Sequence, residues 1–260
     1  MRIEEFGRAL IETGDLDPVY IAIHGAKLSK PQLAKLLLSY WSFYHLGLAA
    51  WLSEQEDWGT SLTLAAANER PSPLGGRWPR SAERRHFRGE KCVRAVKWLA
   101  QELPEVRIAS LGNSFESITT NIKTWPMHGD WIAYKSADML ERCWGAKFEF
   151  PLDVCLLYDE PRKGLLMLNP DKPEQELDRL LRVFKQYKAP PAYDRACGVA
   201  ETETVLCKFK ASRSGHYWVG KDIHEIRHGL EGWGDTASTM LRCSPKEYEV
   251  DGLFGFGLAS

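Results

Sequence analysis

The sequence predicts a mainly α-helical protein, and three observations carry that expectation. Apolar residues recur at three- and four-residue spacing over long stretches, helix-capping signatures head several of them, and strand-like alternation is short and rare. At 260 residues, 44% apolar and 27% charged, the chain is long enough to bury a core, either as one compact unit over 1–260 or as two lobes with interwoven chain.

The elements follow in order. Ser29-Lys30-Pro31-Gln32 is a capping-box pattern with proline in the first turn. Leu33, Leu36, Leu37, Tyr40, Trp41, Tyr44, Leu48, Trp51 and Leu52 then share one wide face, which predicts a single long helix central to the core. Residues 90–103 predict a helix with Val93, Val96, Leu99 and Ala100 on one side, stopped by Pro104. Asn113 is expected to cap a helix over 114–123. Residues 125–129 interrupt it, and Asp130 opens a strong helix to about Trp144, ended by Gly145. Residues 170–187, 201–210 and 221–230 are three further expected helices.

Composition narrows the function classes. The net charge is −1, so no global basic field marks a nucleic-acid partner, and any polyanion site must come from local clustering. No apolar run approaches the ~18–20 residues that span a bilayer, and Met1-Arg2-Ile3-Glu4-Glu5 lacks the basic-then-apolar start of a signal peptide. The six cysteines include no CxxC pair, which favours reduced thiols and a cytosolic setting. His224 and His228 stand i, i+4, but no third ligand has suitable spacing, so no metal is assigned. No cofactor is assigned either; a divalent cation is left open.

Three segments carry chemistry. Between Arg77 and Arg94 six arginines (Arg77, Arg80, Arg84, Arg85, Arg88, Arg94) and Lys91 face only Glu83 and Glu90, with Trp78, His86 and Phe87 interleaved. Arginine forks grip phosphates bidentately, which points to a polyphosphate or DNA-backbone site; the bland alternative is a salt-bridged surface turn. In residues 215–223, GHYWVGKDI, two glycines bracket His216, Tyr217 and Trp218, and Lys221 and Asp222 follow. Such a loop gathers a phosphate-binding His or Lys and a proton-accepting Asp222, with Glu203 a further acceptor.

The third segment, TWPMHGDWIAYKSADML (124–140), reads as a tight turn between two helices. Backbone N–H groups at the head of a second helix bind phosphate without reading sequence. The segment resembles the hairpin of helix-hairpin-helix DNA glycosylases, placing such a motif within 114–145: Pro126, Gly129 and Ala133 match, and Met127 stands where the first glycine is usual. The resemblance marks Trp125, His128, Gly129 and Trp131, with Arg77 and Arg80, as DNA contacts. It makes Asp153, in Phe150-Pro151-Leu152-Asp153, the counterpart of the trailing carboxylate, while Trp131 occupies the position of the lyase lysine. The alternative is a plain αα-hairpin with Asp130 as a cap.

Taken together with WSFYHLGLAAWLSE (41–54), RWPRSAERRHFRG (77–89), GDWIAYKSADMLERCWG (129–145) and ETETVLCKFK (201–210), the chain resembles the phage amino acid:DNA transferases, also called alpha-glutamyl/putrescinyl-thymine pyrophosphorylases. The resemblance implies a glycosylase-like helical fold that spares the glycosidic bond. It implies double-stranded phage DNA carrying pyrophosphorylated 5-hydroxymethyluracil, an amino acid or polyamine co-substrate, and a site of action in the host cytoplasm. Asp153 becomes the first candidate for the base, or for stabilising an electron-poor methylene. Asp138, Glu141, Lys221 and Asp222 rank second, and Arg84, Arg85, His86, Arg88 and His216 are expected to hold pyrophosphate. A glycosylase excising a modified base and a non-enzymatic DNA-binding protein are the alternatives.

Overall fold

The computed structural model describes residues 1–247. Among these it is mainly helical, with one isolated antiparallel bridge between Lys188 and Ala196 and no strand. The helices are α1 (Ile3–Thr13), α2 (Pro18–Ala26), α3 (Lys30–Phe43), α4 (Leu46–Glu54), α5 (Trp58–Ala67), α6 (Gly89–Leu99), α7 (Pro104–Ala109), α8 (Phe115–Lys123), α9 (Asp130–Met139), α10 (Val154–Leu157), α11 (Asp159–Leu168), α12 (Pro173–Phe184), α13 (Val199–Arg213), α14 (Lys221–Leu230) and α15 (Asp235–Cys243). No helix among the described residues is long and apolar enough to cross a membrane.

The chain divides into two compact units. The first comprises residues 1–18, 151–225 and the segment from Pro245; the second comprises 19–150 and 226–244. In the first unit α1 sets Ile3, Phe6, Leu10 and Ile11 against Leu177, Leu180 and Phe184 of α12 and Val205, Leu206 and Phe209 of α13. In the second, α3 and α4 supply the centre: every α3 residue from Leu36 to Phe43 is buried.

The single long helix expected over 33–52 is two. Tyr44 adopts a left-handed conformation (φ 52°) and closes α3 through its N–H to the Tyr40 carbonyl. His45 then accepts from the Leu48 N–H at 3.1 Å through Nδ1, capping α4. Gly47, in the first turn of α4, packs against α14: a Cβ would lie 2.0 Å from the Gly229 carbonyl oxygen, so only glycine admits the close approach. Two smaller corrections follow the same logic. α6 ends at Leu99, four residues short of the expected 103, and Pro104 heads α7 as its first residue. Ser114, not Asn113, caps α8, accepting from the Ser117 N–H at 3.1 Å. Ser29 does cap α3, but Gln32 spends its side chain on Thr236 instead of completing a capping box.

Candidate active site

The turn 124–129 joins α8 to α9. Its N–H groups at Trp125 and His128 bond back to the Ile122 and Trp125 carbonyls, and Met127 is left-handed at φ 63°. The left-handed region is one that glycine enters freely and a residue with a Cβ enters at a cost. Arg84 holds the turn from inside. Its Nε donates to the Ser42 carbonyl at 3.0 Å and its Nη1 to the Met127 carbonyl at 3.1 Å, and its guanidinium lies 4.3 Å from the Phe87 ring centre. His128 is buried beside it, its Nδ1 2.9 Å from the Pro126 carbonyl and its ring edge-on to Trp125 and Phe87.

Burial pushes the His128 pKa down to about 3, with Arg84 adding repulsion, and burial pushes His45 down to about 4. Both fold as neutral imidazoles against an unfolded value near 6.5. Between the two values the unfolded chain binds protons that the folded chain refuses. Stability is therefore fully present above pH 6.5 and falls on acidification, by on the order of 2 kcal/mol per histidine at pH 5. Urea midpoints at pH 7 and pH 5 check this. A His45→Asn, His128→Asn double variant should lose most of the pH dependence; equal dependence in variant and wild type would place the titration elsewhere.

Trp125, His128 and Arg84, expected as DNA or pyrophosphate contacts, are thus inside the second unit and support the turn. Gly129 and Trp131 are at its surface. Gly129 is the N-cap of α9 in an extended conformation, and a Cβ there would meet nothing within 4 Å. Glycine is not demanded by backbone or packing; its effect is that the N-cap position of α9 carries no side chain. Asp130, the first residue of α9, is 3.1 Å from Lys123. Trp131 is 36% exposed and packs on Tyr44.

The basic segment divides in a way the sequence does not reveal. Arg80 donates to the Ala65 and Ala66 carbonyls at the end of α5, and Arg84 is spent on the turn. Arg77, Arg85, His86 and Arg88 are exposed, with Arg85 bonded only to the nearby Ala82 carbonyl. A single 3₁₀ turn, Ala82–Arg84, directs Arg84 inward and its neighbours outward.

On the second hairpin helix, Asp138 is fully buried. It accepts from the Tyr20 hydroxyl at 2.8 Å and lies 3.6 Å from Arg142 Nε and 3.9 Å from Lys135. Arg142 also meets Glu141 at 3.1 Å. The π-helical stretch Leu140–Trp144, closed by left-handed Gly145, turns Arg142 back into this network. Asp138 and Glu141 therefore belong to a network that ties the end of α9 to α2 through Tyr20.

In the first unit, residues 214–220 form a loop built around a residue that sequence reading misses. Asp15 is 0% exposed; its Oδ2 accepts from the Tyr217 hydroxyl and the Gly220 N–H, each at 2.6 Å, and its Oδ1 from the Ile223 N–H at 3.0 Å. Lys208 donates to the Asp15 carbonyl and lies 2.7 Å from Asp222. Lys221 donates to the His216 carbonyl at 2.9 Å and stands 3.6 Å from Glu225. The structure thus brings Lys221, Asp222 and the His216 backbone around one anchored loop, with the Trp218 ring 52% exposed. Glu203 is buried on α13 beside the Cys207 thiol, 3.0 Å away, and Glu201 caps its own helix through the Gly198 N–H. Asp153 heads α10, exposed, with no hydrogen bond or ion pair to its side chain among the described residues.

The candidate residues divide between the units. Asp153, His216, Lys221 and Asp222 lie in the first; Arg77 to Arg88, the hairpin, Asp138 and Glu141 lie in the second. Among the described residues no three His, Cys, Asp or Glu side chains come together as a metal-ligand set.

Comparison with known proteins completes the picture. Residues 9–217 match the model of the amino acid:DNA transferase family. A glycinyltransferase of Pseudomonas phage PaMx11 is 35% identical over 272 aligned positions, covering 92% of this chain and 93% of that protein. A putrescinyltransferase of Delftia phage PhiW-14 is 27% identical over 261 positions, covering 92% and 82%. The chain belongs to the amino acid:DNA transferase family, and it is a transferase.

Proposed function

We propose that this protein hypermodifies thymine in double-stranded phage DNA, replacing the pyrophosphate of 5-(pyrophosphoryloxymethyl)uracil with an amine. The amine is an amino acid such as glycine or glutamate, or the diamine putrescine. Its nitrogen bonds to the 5-methylene carbon, the C–O bond breaks with its electrons leaving on pyrophosphate, and the nitrogen gives up a proton to a base. The glycosidic bond is untouched. The carrying observation is the end-to-end similarity to two amine transferases, which differ between themselves in the amine that they are named for.

The residues suit the chemistry. Exposed Arg85, His86 and Arg88, with Arg77, offer charge to a departing pyrophosphate. Asp153 is the one ranked carboxylate with a free, exposed side chain, since Asp138, Glu141 and Asp222 are engaged by Arg142 or Lys208. His216 is exposed on the anchored loop as a further phosphate contact. The target base must leave the stack to present its methylene. A glycosylase-like use of the hairpin, with Gly129 and Trp131 at the head of α9, fits that need. The reaction belongs in the cytoplasm of the phage's host.

The test is incubation with pyrophosphorylated hydroxymethyluracil DNA and each amine, with and without a divalent cation, followed by digestion to nucleosides and mass spectrometry. An amino-substituted thymidine and released pyrophosphate are expected. Alkali-labile abasic sites would identify a glycosylase instead, and DNA binding with neither product a non-enzymatic role.

A further inference from the structure

A groove of about 530 Å³ lies beside the hairpin in the second unit, between α6 and the turn. One wall carries Lys91, Arg94 and Lys97, the other Pro126 and Met127, with Trp98 and Gln101 completing the lining. The cations repeat every three residues, so they share the outer side of α6, while Cys92, Ala95, Val96 and Leu99 are buried beneath. Lys91 and Lys97 form no ion pair among the described residues. Arg94 meets Glu90, 94% exposed, at 3.8 Å, a weak surface pair. In a chain of net charge −1, this is a strip of predominantly positive charge.

The groove's aromatic residue is fixed in place. Trp98 has the Arg107 guanidinium 4.0 Å from its ring centre and Trp125 at 5.8 Å, and Arg107 donates to the Trp98 carbonyl at 2.8 Å. Arg107 is itself held by Glu102. The opposite wall is equally set, because Arg84 holds the Met127 carbonyl.

We propose that this groove seats the sugar–phosphate backbone of the DNA beside the hairpin; the proposal rests on the reading that the protein modifies DNA. Six residues of helix separate Lys91 from Lys97, roughly 9 Å of axis, which spans more than one phosphate along a strand. A lone pyrophosphate would be held by converging donors, whereas these cations are strung out and solvated. A rigid indole edge beside them adds contact surface that sugars and bases accept without regard to sequence.

The experiment is duplex binding by fluorescence anisotropy, using labelled unmodified DNA over a range of salt concentrations. The triple variant Lys91→Gln, Arg94→Gln, Lys97→Gln should bind about 10–100-fold more weakly, with a slope of log affinity against log salt shallower by about 2–3. With modified DNA its KM should rise while saturated turnover stays near wild type. A charge-matched control, Lys172→Gln, Lys185→Gln, Lys188→Gln, removes three exposed lysines of the first unit and should keep the wild-type slope. Unchanged slope in the groove variant, or an equal loss in the control, overturns the proposal. Wild-type protein that binds duplex through the groove yet makes no amino-substituted thymidine would sink the proposed reaction and leave the groove standing.

Discussion

Asp153→Asn is expected to reduce amine transfer by about 10²–10⁴-fold while leaving affinity for DNA unchanged. The asparagine amide keeps the size of the carboxylate and takes no proton. Because the side chain is exposed and makes no hydrogen bond or ion pair among the described residues, its loss should not disturb the fold. The urea midpoint is then the control: it should stay within about 0.5 kcal/mol of wild type. Single-turnover rates on pyrophosphorylated DNA at saturating amine read the effect. The pH dependence of the residual rate separates the two roles open to this carboxylate. If Asp153 removes the amine's proton, raising the pH until the free amine predominates should restore much of the lost rate. If it stabilises an electron-poor methylene, the deficit should persist at every pH. Full turnover in Asp153→Asn would remove the residue from the mechanism.

The case for Asp153 shows how far sequence reading reaches. Periodicity and caps reach eight of the fifteen helices among the described residues, α3 and α4 as one, and leave α1, α2, α5, α7, α10, α11 and α15 unread; α14 coincides with its expected 221–230. The α3–α4 break at Tyr44 is hidden because no glycine or proline announces it; an aromatic residue takes the left-handed position, and His45 caps the next helix from its ring. Arg84 and Arg85 are adjacent and chemically identical. Only the 3₁₀ turn that holds them decides that one supports the hairpin and the other faces solvent. Asp138 reads as a second-helix carboxylate available for proton transfer, yet its partner Tyr20 is 118 residues away in the chain. The local pattern shows residue types and spacing; it does not show which polar side chains the tertiary structure consumes.

Asp15 is the extreme instance, and it yields the largest expected effect on stability. Its three partners stand 202, 205 and 208 residues downstream, so nothing in its neighbourhood marks it. Asp15→Ala should destabilise the first unit by roughly 3–5 kcal/mol, because each buried donor left unpaired costs about 1–3 kcal/mol. The donors are the Tyr217 hydroxyl and the Gly220 and Ile223 N–H groups. Asparagine is no remedy: each carboxylate oxygen faces a backbone N–H, so in either orientation the amide NH₂ meets a donor. Asp15→Asn should therefore also destabilise, by roughly 2–3 kcal/mol. Burial raises the Asp15 pKa, opposed by Lys208 and by the same hydrogen bonds, so the carboxylate's worth lies in the donors it satisfies and not in its charge alone. Urea unfolding reads the total, and amide hydrogen exchange should show lost protection at Gly220 and Ile223 first. Because the loop and the first turn of α14 that they belong to carry His216, Lys221 and Asp222, turnover should fall in step with that local protection. A variant that keeps both the midpoint and the protection would mean that the loop is held by its own contacts, and that Asp15 merely fills the space beneath it.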